Sequence, residues 1–172
     1  MNLQSNDFEL FDLAQKFKQD RLAIDVQWKE LQREAHPDKF AAQGASAQRV
    51  AMQWSVRINE AYRRLKSPLT RAAYLCELNG FPVNAENNTA MPSSFLMQQI
   101  EWREGLDEAK TAEDLQKILL KTNEYGREQL LKIEQAIDAQ HDFKQAVEYV
   151  RALMFVERFA TDVDVRLDTL QQ

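Results

Sequence analysis

Ile24, Trp28, Leu31 and Ala35 fall at i, i+4, i+7 and i+11, and Val50, Trp54, Ile58, Ala61 and Leu65 repeat the pattern further on. Residues so spaced share one face of a helix, while the period-two alternation of a half-buried strand is scarce throughout the chain. The spacing therefore predicts an all-α fold. It places a helix pair at 21–35 and 46–66, with a short helix near 7–13 before it and another over 68–79, started by Pro68 and stopped at Asn79-Gly80. HPDKFAAQG joins the pair as a short loop, because Pro37 disfavours helix at His36 and Gly44 offers a stop.

The segment from Gly80 to Ser94, GFPVNAENNTAMPSS, breaks the periodicity and reads as a boundary. Domains are expected at 1–80 and 93–172, with a linker at 81–92. Beyond it a helix at 93–110 starts at Pro92 with Ser93 or Ser94, and Thr111 with Asp114 resembles a capping box for the next. That next helix carries the stripe Leu115, Ile118, Leu119, Thr122, Leu130, Ile133 and Ile137, with Gly126 as a place for a kink. A third starts after His141-Asp142 and completes a three-helix bundle.

Composition excludes several classes. The 172 residues suffice for one large or two small cores. No apolar run approaches the roughly 18 residues of a membrane span, and MNLQSNDFEL lacks a signal peptide's pattern. One cysteine, Cys76, with only His36 and His141 beside it, makes no metal-ligand cluster, so no metal or cofactor is expected and a reducing cytoplasm fits best. Residues 1–80 hold 12 basic and 10 acidic side chains, whereas 81–172 hold 10 and 17. The halves, at +2 and −7, suggest different partners, and the acidic one would repel nucleic acid.

A His-Pro-Asp tripeptide in a loop admits two elementary readings. His36 and Asp38 form a catalytic base and its orienter, or they form a tight turn in which Asp38 bonds its own backbone. The first lacks a nucleophile and a phosphate loop. The flanks add more: WKELQREAHPDKF followed by INEAYRRLKSPLTRAAYL resembles a J-domain, the module by which DnaJ-type co-chaperones engage DnaK-class ATPases. The resemblance implies that His36, Pro37 and Asp38 contact the chaperone and promote its ATP hydrolysis, so that this chain is itself no enzyme. It also implies docking by Lys29 and Arg33, which lie i, i+4 off the apolar stripe. Ala35 departs from the family, which commonly has an aromatic residue before the His.

The helix FLMQQIEWREGLDEA has apolar residues on two faces. Counting about 100° per residue from Phe95 puts Trp102, Leu106 and Ala109 within about 40° of it, a core stripe. Leu96, Ile100 and Met97 fall near ~100°, ~140° and ~200°, with Glu101, Glu104 and Glu108 at roughly 180° to 240°. An apolar patch rimmed by acids has the composition of a partner site, whereas packing both faces inside the bundle would bury three carboxylates. Phe155 lies roughly opposite Val147, Val150 and Leu153, where an aromatic gains little from the core and borders the same patch in an antiparallel arrangement.

With the short loop after HPDKF and the link GFPVNAENNT, this helix makes the chain similar to HscB, the J-protein family of bacterial iron-sulfur cluster biogenesis. That resemblance implies an L of two helical domains and two partners. An HscA-like chaperone would meet the loop. An IscU-like scaffold would bind through Leu96, Met97 and Ile100, with Glu101, Glu104, Glu108 and Phe155. A J-protein for a different client is the alternative, and a metal-dependent enzyme or a nucleic-acid module fits the residues less well.

Overall fold

A computed structural model describes residues 4–84 and 91–170. Among the described residues there are helices and turns and no strand. The chain divides into two compact units, 1–75 and 76–172. Part of the linker expected at 81–92 lies outside the described residues.

In the first unit α1 (Asp7–Leu10) precedes α2 (Arg21–Glu34), α3 (Ala45–Lys66) and the start of α4 (Pro68–Leu78). Asn6 caps α1 by a reciprocal pair of 3.0 Å bonds with Glu9, and Asp20 caps α2 by accepting from the Leu22 N–H. The expected stripe forms the α2–α3 seam: Ile24, Leu31, Ile58, Ala61 and Leu65 are buried. Val50 departs from it, being 49% exposed. At this level of α3 its neighbour Ala51, 3% exposed, takes the core-facing position, in line with Ile58 and Leu65 two and four turns on, and turns Val50 outward. Trp28 is half-buried and polar in its bonding: its Nε1–H donates to Asn59 Oδ1 at 2.9 Å, beside Gln32, which donates to Asn59 Oδ1 and accepts from the Ser55 hydroxyl. This bridge fixes the register of the pair at a level where apolar packing alone would let it slide.

α1 is held by a charge. Asp7 is fully buried, with Arg57 Nη1 and Arg64 Nε each 2.7 Å from a carboxylate oxygen and its N–H donating to the Tyr74 hydroxyl at 3.0 Å. Phe8 and Phe11 enter the core beside it. Asp7→Ala would strand two guanidinium groups and is expected to destabilise this unit by about 3 kcal/mol, at the low end for broken buried pairs because Arg64 reaches solvent. The urea midpoint measures it, and an unchanged midpoint would remove the clasp from the account.

The second unit contains α5 (Ser93–Glu108), α6 (Ala112–Glu134) and α7 (Phe143–Leu170). The capping box at Thr111 and Asp114 forms as expected. At α5 the first residue outside the helix is Pro92, with no side-chain cap from either serine. α6 continues through Gly126 unbroken. A Cβ at that glycine would lie 3.1 Å from Val156 Cγ1, so the residue lets α7 come close. The irregularity falls later, where Gln135–Ala139 forms a π turn: the Gln140 N–H donates to Gln135 O, and His141 at φ +54° turns the chain into α7. Arg151 of α7 donates to the Val83 carbonyl from Nε and Nη2, at 2.9 and 2.8 Å, anchoring the segment that precedes α5.

Candidate functional site

Two surfaces in the two units gather the residues singled out in the sequence. In the first unit Ala35 closes α2, and His36 after it is extended, φ −64° and ψ 124°, as suits a residue before proline. Pro37–Gln43 then winds as short 3-10 turns where a plain loop was expected, and Gly44 at φ +93° reverses the chain into α3. Besides the backbone bond from the Lys39 N–H to His36 O at 3.0 Å, the turn has a side-chain bond made by the histidine, not by the aspartate: His36 Nδ1 accepts from the Asp38 N–H at 3.3 Å. An acceptor Nδ1 places the neutral ring's proton on Nε2. Asp38 Oδ2 stands 3.6 Å from the same Nδ1 and gains an ionic partner only when the ring is protonated. The Asp38 side chain is 90% exposed and His36 59%, so both present polar atoms to solvent on a backbone fixed by Pro37. Ala35 beneath them is buried, its N–H donating to Leu31 O.

Lys29 and Arg33 are exposed on α2. At the same helical interval stand Leu22, 72% exposed, and Val26, 55% exposed, so the face leading to the loop is half apolar and half basic. The sequence reading passed over these two. Their signal was present, since both are apolar and off the core stripe.

In the second unit α5 separates its two faces as the wheel requires. Phe95, Trp102 and Ala109 are buried, while Leu96, Met97 and Ile100 are 41%, 71% and 57% exposed. The buried face is held by rings: Trp102 meets Tyr125 edge-on at 5.1 Å and stacks on Phe155 and Phe159 at about 6 Å, and Phe95 meets Phe155 edge-on at 5.7 Å. Phe155 is thus half-buried in the aromatic cluster, contrary to the expectation that it gains little from the core. The wheel of α7 counts only the stripe facing α6, and the rings of α5 cover a second side. Arg103 lies 5.7 Å over the Phe155 ring and pairs with Asp162 at 3.1 Å. Being near Leu96 on the α5 wheel, Arg103 puts Phe155 along the flank of the exposed patch.

Glu101, Glu104 and Glu108 are exposed and line a groove of about 580 Å³ between α5 and α6. The opposite wall adds Glu124 and Glu128, with Lys121 supplying a positive charge. Those two acids escaped the sequence reading because the face a neighbouring helix turns toward α5 is a tertiary fact. Their field is felt locally: burial first, and then the Glu128 charge, raises the Tyr125 phenol above its ordinary value. Cys76 is buried, and burial pushes its thiol up to about 11, which makes it a poor nucleophile and a poor metal ligand at neutral pH.

Residues 91–164 match a family model described as the HSCB C-terminal oligomerisation domain. A "Co-chaperone protein HscB homolog" of Burkholderia cenocepacia is 42% identical over 174 residues, covering 99% of each chain, and one of Burkholderia multivorans is similar to the same degree. The chain belongs to the HscB co-chaperone family. Among solved structures, the chaperone HscB from Vibrio cholerae shares 32% identity with a TM-score of 0.83, over 96% of this chain and 99% of that one. The human co-chaperone protein HscB superposes with a TM-score of 0.91 at 24% identity, over 96% and 84%, a likeness of fold. For an HscB-family chain the first unit is the J-domain and the second the C-terminal helical domain, and the all-helical expectation is met. The HscB relatives are named co-chaperones, a role in which chemistry is done by a partner.

Proposed function

We propose that this chain is a cytoplasmic adaptor of iron-sulfur cluster biogenesis that brings an IscU-like scaffold to an HscA-like chaperone and stimulates the chaperone's ATPase. The chaperone is met by His36, Pro37 and Asp38, with Lys29 and Arg33 steering the approach and Leu22 and Val26 adding apolar contact. A guanidinium of the chaperone pairs with Asp38, a role favoured by its 90% exposure on a stiff turn. The scaffold sits on Leu96, Met97 and Ile100, with Glu101, Glu104 and Glu108 orienting it and Phe155 supporting the flank. The observation that carries this reading is α5 itself: one face is locked in an aromatic core while the other exposes three large apolar side chains beside an acidic groove.

The exposed loop suits work done by the partner: His36 and Asp38 stand on a surface turn, where a second protein can reach both side chains. The test is the partner's ATP turnover with the chain, with the scaffold, and with both. Both together should exceed the sum of the single additions by about tenfold or more, because a scaffold held on this chain is presented at high effective concentration. Purely additive turnover would dismiss the adaptor.

A further inference from the structure

The face of α6 turned to solvent carries two large apolar side chains, Leu120 and Leu131, 58% and 68% exposed. Counting about 100° per residue from Leu120 puts Lys117, Glu124, Arg127, Leu131 and Glu134 all within about 60° of it, with the buried Leu115, Thr122, Gln129 and Ile133 on the opposite side. Lys117, Glu124 and Arg127 are exposed and Glu134 is partly so. Of these side chains only Glu124 also borders the acidic groove between α5 and α6.

Either leucine alone would mean little, since single apolar side chains are common on surfaces. The order of the whole set means more. Successive members are three, four, three, four and three residues apart, the spacing of a coiled-coil seam. Read from both ends toward the middle, near Tyr125 and Gly126, the seam is self-complementary: Lys117 answers Glu134, Leu120 answers Leu131 and Glu124 answers Arg127. A second α6 laid antiparallel about a two-fold axis at that point meets opposite charge with opposite charge, and leucine with leucine, in every layer. Other alignments of the same face set like charges together. A parallel pair would place Glu124 on Glu124 and Arg127 on Arg127, and an antiparallel pair slipped by one heptad would place Lys117 on Arg127 or Glu124 on Glu134.

We propose that this chain forms a homodimer through α6, two copies lying antiparallel with Leu120 of each against Leu131 of the other, framed by Glu124–Arg127 and Lys117–Glu134 contacts. In the single chain Lys117 pairs with Glu113 at 2.8 Å, and a pair so exposed is exchanged at little cost. The seam ends with α6, where the π turn at Gln135–Ala139 breaks the period. About 27 Å long and one helix wide, it is smaller than a standard interface of about 1,200–2,000 Å², which makes the dimer weak and reversible. Leu96, Met97 and Ile100 take no part, so the dimer stands independently of what that patch binds.

Sedimentation velocity on the full chain, from about 10 μM to about 1 mM, should show monomer passing to dimer and nothing larger, since a two-fold seam closes on itself. Leu120 and Leu131 changed together to Ala should weaken the dimer at least about tenfold with helix content kept, because both side chains are exposed and Ala favours helix. Glu124→Arg alone, or Arg127→Glu alone, repeats a like-charge layer on both sides of the axis and should weaken it by about as much. Mixed in equal amounts, the two charge variants should recover the parental affinity as a heterodimer, because opposite charges then face each other in each layer. A chain that stays monomeric at about 1 mM overturns the dimer. Dimerisation untouched by the leucine pair, or lost instead on changing Leu96, Met97 and Ile100 to Ala, overturns this seam, and failure of the mixture to recover overturns its register.

Discussion

Asp38→Asn is expected to abolish stimulation of the chaperone's ATPase while helix content, unfolding midpoint and scaffold affinity stay at parental values. The separation of these readouts follows from the loop. Within the fold Asp38 is used through its backbone N–H, which His36 Nδ1 accepts, and an asparagine retains that group. The carboxylate is 90% exposed, and its one contact in the fold is with the ring of His36, 3.6 Å away on the same surface turn. What asparagine loses is the charge, and losing one partner of a charge-assisted contact in a complex costs roughly 2–5 kcal/mol, a fall of 30-fold or more. His36→Gln is expected to act by another route: it removes the Nδ1 acceptor and frees the Asp38 N–H, so the turn loosens and stimulation falls with it. ATP turnover at saturating chaperone, next to circular dichroism, measures both. If Asp38→Asn stimulates as well as the parent, the loop is a turn and nothing more.

How far the sequence reached depended on the range of the interaction that decides each feature. The α2–α3 seam and the buried face of α5 were legible, since Ile24, Ile58, Phe95 and Trp102 are sorted by local periodicity and hydrophobicity alone. The Thr111 cap was legible for the same reason. Asp7 was not, because a carboxylate near the N-terminus reads as solvated until Arg57 and Arg64, far along the chain, close over it. Gly126 was read as weakness in a helix and is instead room for Val156, a contact that only the packing of α6 on α7 creates. Phe155 was placed by a wheel that assumes one buried side, whereas its helix has a second neighbour. The acids of the groove divide likewise: Glu101, Glu104 and Glu108 share a helix and were found, and Glu124 and Glu128 stand on another and were not.

Changing Leu96, Met97 and Ile100 together to Ala is expected to weaken scaffold binding at least about 100-fold, because apolar anchors at the centre of a patch carry most of an interface's affinity. The variant should keep its fold. The three side chains are 41%, 71% and 57% exposed, their helix is pinned by Phe95 and Trp102 on its other side, and Ala is the best helix former. Glu101, Glu104 and Glu108 changed to Gln should behave differently, slowing association and flattening its salt dependence while dissociation changes little, since charges at a rim steer more than they hold. Association and dissociation rates at two salt concentrations separate the two effects. A folded triple-Ala variant that binds the scaffold like the parent would mean the scaffold is held elsewhere, and the exposed face of α5 would need another client. A triple-Gln variant whose loss lies entirely in dissociation would place the acids at the centre of the contact, and the groove with Glu124 and Glu128 would replace the apolar patch as the anchor.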